Sequence, residues 1–151
     1  MTESECFVCA KHAEGAAVPG GVVFEDAMIS VGHILPPDLR DVYLGYLVVE
    51  PKRHVAGLGD LTPEEAAALG RVVNDLARTL KESEGAEHVY SFVLGDAVPH
   101  LHVHLVPRYP GTPKEYWGVR IDEWPDAPRG GRAEIGVICD RIRRILDLSD
   151  G

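Results

Sequence analysis

Three histidines alternate strictly with apolar residues in the segment His100-Leu101-His102-Val103-His104. Residues two apart on a β-strand point to the same face, so this spacing predicts three imidazoles on one side and an apolar stripe on the other. Like-charged neighbours lower one another's pKa, which keeps some of these imidazoles neutral and nucleophilic near pH 7. The pattern therefore indicates a chemically active strand face.

Three interpretations assign different chemistry to this face. An ordinary amphipathic strand turns polar side chains to water, but three histidines with an apolar residue at each intervening position are unusual for that role. A metal site would use at most two of them, because His100 and His104 are separated by roughly 13 Å of strand rise. The third interpretation is nucleophilic catalysis by one histidine, oriented through its other ring nitrogen.

A second group of ligand-type residues lies near the N-terminus, where two residues separate Cys6 from Cys9. This is zinc-knuckle spacing, and such a site needs two further ligands. His12 extends the spacing to Cys-x2-Cys-x2-His, whereas two incidental cysteines are the simpler interpretation. The remaining cysteine, Cys139, lies in an apolar helical pattern typical of a buried core thiol. An odd number of cysteines without a secretion signal disfavours a disulfide framework.

The composition of the 151-residue chain limits the classes of partner. With 45% hydrophobic and 26% charged residues, the chain suits one compact domain with a hydrophobic core. A net charge of −9 argues against a broad basic face for a nucleic-acid polymer, although a small anion can bind at a locally positive site. The sequence has no apolar run of bilayer-spanning length, and its acidic start differs from a signal peptide. We therefore expect a cytoplasmic protein without membrane contact.

Hydrophobic periodicity and turn residues predict the elements that must position these histidines and cysteines. A helix is expected to begin at Thr62, with Pro63 at its first position and Glu65 completing a capping box, and to end near Gly85. A second helix closes the chain, and its apolar face carries Ile135, Ile138, Ile142 and Ile145. The predicted strands are 22–25, 27–31, 43–49, 88–94 and 101–106, and residues 109–131 are predicted to be mostly irregular. This order indicates an antiparallel sheet covered by helices, which is an α+β domain.

These segments together resemble the histidine triad (HIT) family of nucleotide hydrolases and transferases. The family signature of alternating histidines is matched throughout residues 100–106. The strand and Pro-Lys-Arg-His turn at 46–55, the helix start at 61–65 and the hairpin Phe24-Glu25-Asp26 resemble further parts of the family pattern in the same order. The resemblance covers about residues 5–108 and implies a HIT-like antiparallel sheet of about five strands with a central helix and a C-terminal helix.

The same resemblance implies a single domain over residues 1–151. Its three parts are a zinc-binding N-terminal segment, a core, and an irregular segment followed by the C-terminal helix, at about 1–20, 21–108 and 109–151. The family usually forms a two-fold dimer by joining sheets edge to edge, so a homodimer is expected.

By this resemblance, His102 is the nucleophile that attacks the α-phosphorus of a small nucleotide. The product is a covalent nucleotidyl-histidine, which water hydrolyses to a nucleoside monophosphate. The backbone carbonyl of His100 is expected to accept a hydrogen bond from the other ring nitrogen of His102, and His104 is expected to bind phosphate oxygens or the leaving group. No metal enters the chemistry, and no organic cofactor is expected.

The resemblance leaves the substrate and the acceptor open. A dinucleoside polyphosphate and a nucleoside phosphoramidate are both suitable substrates for hydrolysis. A nucleotidyltransferase or phosphorylase would share the covalent intermediate and differ only in the acceptor. A zinc-stabilised nucleotide-binding module without turnover is the alternative from another class.

Several further residues are candidates for substrate binding. His33 follows the second strand and is expected to line the nucleoside pocket or to lie on a surface loop. Gly95 and Asp96 stand where many family members have a Gly-Gln pair. Those members also carry an Asn or Gln upstream of that pair, and Ser91 is a candidate substitute for this amide. Arg108 follows the triad strand and is expected to contact a distal phosphate or solvent.

The resemblance also completes the cysteine motif. A subset of the family binds zinc with two N-terminal cysteines, the histidine of the Pro-Lys-basic-His turn and the first triad histidine. These positions correspond to Cys6, Cys9, His54 and His100, with His12 as the local competitor of His54. Four protein ligands without water would make the zinc structural and would separate His100 from the catalytic histidines.

Overall fold

The computed structural model describes residues 2–14, 19–35 and 40–150 of the chain. Its helices are α1 (Phe7–Glu14), α2 (Pro63–Glu84) and α3 (Arg132–Asp150). Its strands are β1 (Val22–Glu25), β2 (Ile29–His33), β3 (Val42–Tyr43), β4 (Leu47–Pro51), β5 (His88–Phe92), β6 (Val103–Arg108) and β7 (Arg129–Gly130). Short 3-10 turns occur at Glu3–Glu5, Leu58–Asp60, Lys114–Tyr116 and Ile121–Glu123.

Five of the strands form one antiparallel sheet in the order β1-β2-β4-β6-β5, while β3 and β7 pair separately. This arrangement confirms the predicted α+β fold with a sheet of five strands, a central helix and a C-terminal helix. Asp26 closes the β1–β2 hairpin, because its Oδ1 accepts hydrogen bonds from the backbone N–H groups of Met28 and Ile29, each at 2.7 Å.

The central helix α2 begins and ends as the sequence predicts. Thr62 caps it, with Oγ1 accepting from the Glu65 N–H at 3.2 Å, and the Glu65 carboxylate accepts from the Thr62 N–H at 2.9 Å. Gly85 ends the helix in the left-handed conformation, with φ of 67°. The Glu65 carboxylate also accepts from Arg53 at 2.7 Å. The helix start is therefore tied to the turn that carries His54.

The strand register divides the sheet into a covered face and a cleft face. Leu47 pairs with Leu105, and Val49 pairs with Val103, and all four side chains are buried in the core beneath α2 and α3. The alternate residues, such as Val48 and its partner His104, point to the opposite face. The catalytic candidates thus lie on the face that the two long helices do not cover.

An aromatic cluster covers part of this second face near the end of β6. It is built around Tyr43, Tyr46, Val106, Ile121 and Ala127, with Tyr90, Phe92, Tyr109 and Trp124 packed against them. Residues 109–131, predicted to be mostly irregular, supply several of these side chains and contain two 3-10 turns and β7. The segment therefore buries an aromatic surface although it has little regular structure.

Four features of the predicted elements needed correction. The strand expected at 43–49 is two strands, because Gly45 turns the chain with φ of 82°. A Cβ at Gly45 would lie 2.9 Å from Cγ of Pro107, so the turn needs glycine. Strand β6 begins at Val103 rather than 101, and β2 begins at Ile29 rather than 27. Helix α1 was not predicted, because its eight residues are too few to show a clear apolar stripe.

Cys139, the third cysteine, is fully buried in the core, as expected, and all three cysteines are free thiols. Among the described residues, no helix combines the length and apolar character that crossing a bilayer requires.

Candidate active site and metal centre

A cleft with a volume of about 420 Å³ opens on the second face of the sheet. It is lined by Phe7, Val8, Lys11, His33, Ile34, Leu35, Val48, Glu50, Val98 and His102. Helix α1 forms one wall, and the ends of β2 and β4 form the floor. Apolar walls with a few polar groups are typical of a site for a small organic ligand.

His102 is held in this cleft by a backbone contact. Its Nδ1 lies 2.8 Å from the carbonyl oxygen of His100, which confirms the acceptor expected from the sequence. A carbonyl can only accept, so Nδ1 carries the proton and Nε2 carries the lone pair. Nε2 therefore carries the free lone pair of an oriented imidazole, as a nucleophilic role would require.

His104 lies beside His102, with their ring centroids 5.1 Å apart. The Tyr46 hydroxyl lies 2.7 Å from its Nδ1, and the Phe92 ring stacks on it at 4.9 Å. Burial raises the pKa of Tyr46, so the hydroxyl keeps its proton and donates to Nδ1. The proton of His104 then resides on Nε2, which is buried without a hydrogen-bond partner among the described residues. Burial and the nearby His102 lower the pKa of His104, which keeps the ring neutral.

The first triad histidine lies in a different environment. His100 precedes β6, is fully buried, and faces the cysteines rather than the cleft. Its Nδ1 lies 3.5 Å from Sγ of Cys6 and 3.4 Å from Sγ of Cys9. Nδ1 of His54 lies 3.4 Å from the same Cys9 sulfur. Leu101, Val103 and Leu105 all lie in the core, as the predicted alternation requires. His100 therefore differs from the other two triad histidines in its partners, which are two cysteines and the neighbouring His54.

These four residues form a cluster that could hold a metal ion. Their ligand atoms lie within 4.8 Å of one another. Tetrahedral zinc with Zn–S of about 2.3 Å and Zn–N of about 2.0 Å places neighbouring S and N ligands roughly 3.5 Å apart. The three S···N distances of 3.4 to 3.5 Å match this spacing.

The chemistry of the donor set also fits a divalent cation. Burial and the adjacent Cys6 raise the pKa of the Cys9 thiol to about 11, so two thiolates side by side need a positive charge between them. Burial lowers the pKa of His100, which favours the neutral imidazole that ligates metals. Nε2 of His100 donates to the Pro51 carbonyl at 2.7 Å, which fixes Nδ1 as the ligand atom.

His12, the sequence competitor of His54, is outside this cluster. Its ring packs edge-on against His100 with centroids 5.7 Å apart, and its Nε2 lies 3.7 Å from the Glu50 carboxylate. Glu50 also accepts a hydrogen bond from Lys11. The helix α1 therefore directs its cysteine toward the metal cluster and its lysine toward the cleft.

His33 borders the cleft, but its ring is already engaged. Nε2 accepts from the Gly45 N–H at 2.9 Å, and Nδ1 donates to the Ile34 carbonyl at 3.0 Å. Burial lowers the pKa of His33, so the ring is neutral, as this pair of bonds requires. The side chain positions the β3–β4 turn. A nucleoside in the cleft would find no free nitrogen on this ring to bond to.

The other substrate-binding candidates do not line the cleft. Ser91 pairs with Leu105, so the pleat turns it away from His104 and toward the helix-covered side. Gly95 and Asp96 lie in an exposed turn, and Val98 is the residue of that loop that borders the cleft. We therefore remove Ser91, Gly95 and Asp96 from the direct contacts.

Arg108 is placed by aromatic contacts rather than by an open phosphate site. Its guanidinium lies 3.8 Å from the centroid of the Trp117 ring and donates to the Tyr90 hydroxyl at 2.9 Å. Four strand residues separate it from His104, which is roughly 13 Å of strand rise. Its expected contact with a distal phosphate would require it to leave this stacked position.

Sequence reasoning missed the roles of Tyr46, Phe92, Lys11 and Glu50. Tyr46 is 58 positions from the histidine that it contacts, and Lys11 is 39 positions from Glu50. No local spacing joins such pairs. The sequence offered one signal for Glu50. It is a lone glutamate after a run of apolar strand residues, where a charged side chain is unusual.

An oriented histidine pair on a five-stranded antiparallel sheet is characteristic of the class of histidine triad proteins, and the Cys2His2 cluster beside it resembles the zinc-binding subset of that class. The chain belongs to this family, since the HIT domain matches residues 25–111.

Known relatives share different parts of the chain. It is 31% identical over 111 residues to the nitrilase and fragile histidine triad fusion protein NitFhit of Caenorhabditis elegans, covering 65% of this chain and 25% of that protein. It is 31% identical over 94 residues to the asymmetrical bis(5'-nucleosyl)-tetraphosphatase of Schizosaccharomyces pombe, covering 59% of this chain and 50% of that protein. The matches thus span a quarter and a half of these relatives.

A solved structure covers nearly the whole chain. The Zn-bound histidine triad family protein from Mycobacterium smegmatis superposes with a TM-score of 0.71 at 25% identity, covering 98% of this chain and 99% of that one. The similarity therefore includes the N-terminal segment and α3, which lie outside the matched HIT domain.

Proposed function

We propose that this protein hydrolyses a small nucleotide, a dinucleoside polyphosphate or a nucleoside phosphoramidate, through a covalent intermediate on His102. The observation that carries the proposal is the 2.8 Å contact between Nδ1 of His102 and the His100 carbonyl, inside the cleft. This contact leaves the lone pair of Nε2 free to attack a ligand in the cleft. A relative named as a dinucleoside tetraphosphatase supports the substrate class.

In the first step, Nε2 of His102 attacks the α-phosphorus in line with the leaving group. A P–N bond forms, and the bond from phosphorus to the leaving oxygen or nitrogen breaks, with its electron pair going to the leaving atom. The positive charge that develops on the His102 ring is stabilised by its hydrogen bond to the His100 carbonyl. The Nε2–H of His104 donates to a phosphate oxygen or to the leaving atom as negative charge develops there.

In the second step, water attacks phosphorus and loses a proton to solvent, and the P–N bond breaks, returning its electron pair to Nε2 of His102. A leaving nitrogen takes up a proton from solvent, whereas a polyphosphate leaves as the anion. The products are a nucleoside monophosphate and free enzyme. Tyr46 supports both steps by fixing the His104 tautomer, and Phe92 fixes the plane of the ring.

Zinc is proposed as a structural ion held by Cys6, Cys9, His54 and His100. When bound, it would neutralise the two thiolates and link the start of α1 to the His54 turn and to the residue before β6. The chain's own residues perform the reaction. A bound ion would hold the His100 carbonyl and helix α1 in position at the cleft.

A homodimer and a cytoplasmic location are part of the proposal. Strand β5 is an edge of the sheet, and its pairing with a second copy would continue the ladder. Sedimentation analysis would detect the dimer, and substituting Val89 by Pro at this edge should produce a monomer. Three free thiols suit a reducing compartment.

The function is tested by incubating the wild-type protein with diadenosine and diguanosine polyphosphates, adenosine and guanosine phosphoramidates, and nucleoside diphosphate sugars. Mass spectrometry of the products should show nucleoside monophosphate, and a rapid acid quench should show a nucleotidyl adduct on the peptide with His102. Absence of both product and adduct for the whole panel would contradict the proposal.

The acceptor is a separate question, which the same assay addresses. Adding inorganic phosphate distinguishes hydrolysis from phosphorolysis, because phosphorolysis yields a nucleoside diphosphate in place of the monophosphate. We expect the monophosphate to remain the main product. A nucleoside diphosphate as the main product would keep His102 as the nucleophile but would overturn hydrolysis.

A further inference from the structure

The cleft contains a lysine–glutamate pair that the proposed reaction does not use. Lys11 projects from helix α1 and donates a hydrogen bond to Oε1 of Glu50 on strand β4. Both side chains line the same cleft as His102. A cation and an anion are thus held side by side where a ligand must bind.

Glu50 is buried to a degree that is unusual for a carboxylate. Its exposed fraction is 2%, and its second oxygen, Oε2, has no hydrogen-bond partner among the described residues. Burial acts to raise the pKa of Glu50, but nearby His12 and the charge and hydrogen bond of Lys11 outweigh it and hold that pKa below its usual value. A buried, ionised oxygen without a donor is costly unless a ligand or water supplies one.

The rest of the cleft offers few alternatives for reading the polar edge of a base. Phe7, Val8, Ile34, Leu35 and Val48 provide apolar surface suited to the faces of an aromatic ring. His33 has both ring nitrogens bonded to the backbone. Among the described lining residues, Lys11 and Glu50 are therefore the charged groups that face the ligand apart from the nucleophilic histidine.

We propose that Lys11 and Glu50 select guanine as the base of the nucleotide that His102 attacks, an inference that rests on the proposed function for the identity of the ligand. Guanine presents an acceptor, O6, next to two donors, N1–H and N2–H. The Lys11 ammonium donates to O6, and the two carboxylate oxygens of Glu50 accept from N1–H and N2–H.

Adenine cannot reproduce this pattern. It presents one amino group, N6, beside a ring nitrogen that carries a lone pair. If N6 donates to one oxygen of Glu50, the other oxygen faces an acceptor or a carbon, and it stays without a donor. A site built to bond polar groups rejects the analogue that lacks them more strongly than an apolar pocket rejects a change in size.

The wild-type protein provides the first test, without any substitution. Binding of GMP, IMP and AMP is measured by calorimetry, and kcat/KM is measured for diguanosine and diadenosine tetraphosphate. Because hydrogen bonds to charged groups are strong, we expect guanine to be favoured over adenine by about 10- to 100-fold. IMP lacks the 2-amino group and should bind about tenfold more weakly than GMP if Oε2 accepts from N2–H.

Glu50→Gln provides the second test. A carboxamide donates as well as accepts, so it can bond both N6–H and the neighbouring ring nitrogen of adenine. We expect the variant to lose the guanine preference and to favour adenine. The control is Glu25→Gln, which removes the same charge from a half-exposed glutamate that pairs with Lys52 at 2.8 Å and does not line the cleft. The control should keep the wild-type ratio.

Lys11→Met separates base reading from phosphate binding. If Lys11 contacts O6, the variant weakens GMP binding about tenfold and changes AMP binding little. An equal loss for both nucleotides would mean that Lys11 binds phosphate, which overturns its role in base selection. Circular dichroism on each variant separates these losses from unfolding, and the IMP measurement needs no variant.

The outcomes distinguish the two proposals. Selective GMP binding that Glu50→Gln abolishes, without product or adduct from any substrate of the panel, would uphold guanine selection and overturn hydrolysis. Equal kcat/KM for the two tetraphosphates in the wild type would uphold hydrolysis and overturn guanine selection. Failure of GMP, IMP and AMP to bind, together with equal kcat/KM for the two tetraphosphates, would overturn guanine selection and leave hydrolysis in place. Failure of the monophosphates to bind, together with no product or adduct from any substrate of the panel, would overturn both.

Discussion

His100 and His102 are two residues apart, yet they belong to two sites with different tasks. His100 is fully buried, with one ring nitrogen bonded to the Pro51 carbonyl and the other facing two sulfurs. His102 lines an open cleft and has one nitrogen bonded to the backbone. A histidine with both nitrogens committed can only support structure, whereas one with a single committed nitrogen is oriented for chemistry.

The two sites are also coupled through the backbone. The carbonyl that orients His102 belongs to His100, so the residue in the metal cluster supplies the acceptor for the nucleophile. Helix α1 couples them again, since Cys9 faces the cluster while Lys11 faces the cleft. The candidate metal cluster and the proposed active site therefore share the backbone of His100 and helix α1, so a change in the cluster should also displace His102.

The largest contrast is expected between His102→Ala and His100→Ala. Removing the nucleophile should lower kcat by about 10³- to 10⁶-fold, while zinc content and melting temperature stay at wild-type values. His100→Ala should lose zinc and lower the melting temperature, and it should reduce turnover only through misplacement of His102. Steady-state kinetics, metal analysis and calorimetry provide the readouts. Wild-type-like turnover in His102→Ala would remove it as the nucleophile.

Cys9→Ser tests the metal side of the comparison. We expect the variant to bind less than about half an equivalent of zinc. We also expect its free energy of unfolding to fall by about 4 kcal/mol, which lowers the melting temperature by on the order of 10 °C for a chain of this size. A chelator should lower the melting temperature of the wild type to that of the variant and should leave the melting temperature of the variant unchanged. Cys139→Ser is the matched control, because this buried thiol lies outside the cluster. Its loss should lower stability and leave the zinc content unchanged. Full zinc occupancy in Cys9→Ser would contradict the ligand assignment.

Tyr46→Phe tests the cleft side. Without the hydroxyl, the tautomer of His104 is no longer fixed, so kcat should fall by about 5- to 30-fold, which corresponds to about 1–2 kcal/mol. Tyr43→Phe is a suitable control, because its hydroxyl donates to the Pro107 carbonyl at 2.5 Å, away from the histidines. That variant should lose about 1 kcal/mol of stability and keep its turnover. Equal kinetics for the two variants would show that Tyr46 does not orient His104.

The smallest expected effect concerns the contact that supports the His54 turn. Hydrogen bonds from Arg53 and from the Thr62 N–H lower the pKa of Glu65 to about 2. A depressed folded-state pKa adds stability that is present above the ordinary value of 4.5 and is lost as pH falls toward 2. Arg53 is half exposed, so Glu65→Gln should cost less than about 1 kcal/mol at pH 7.

Urea unfolding of the wild type and Glu65→Gln at pH 7, 4 and 3 measures this difference, with the exposed neighbour Glu64→Gln as the control. The difference in unfolding free energy between Glu65→Gln and the wild type should shrink as the pH falls. A difference that does not change with pH would show that the cap, and not the ionised carboxylate, is responsible.

Local chemistry made several parts of this protein predictable. The Thr62 capping box and the Gly85 stop act within a few residues, so the bounds of α2 follow from the sequence. Alternation over His102-Val103-His104 predicted that the two histidines proposed for catalysis share one face, because the side-chain period of a strand is local as well. The ligand set of the metal cluster depended on the family resemblance, since His54 and the cysteines are 45 or more positions apart.

Other features depended on contacts that no local pattern encodes. The turn at Gly45 divides a run of strand-forming residues because Pro107, from another strand, leaves no room for a side chain. Arg108 stacks on Trp117 instead of facing phosphate, because the segment that follows β6 folds back over the sheet.

The sequence by itself determined that this chain carries an alternating histidine strand, two ligand cysteines and a capped central helix, since each depends on residues close together in the chain. The family resemblance predicted that His100 would belong to a metal site, and the tertiary structure supplied the contacts that divide the three histidines between two sites. The physical reason is burial and partnership: His100 lies before the strand, against Cys6 and Cys9, while Tyr46 and Phe92 reach His104 from elsewhere in the chain. The same contacts brought Lys11 beside Glu50, where a base would be read.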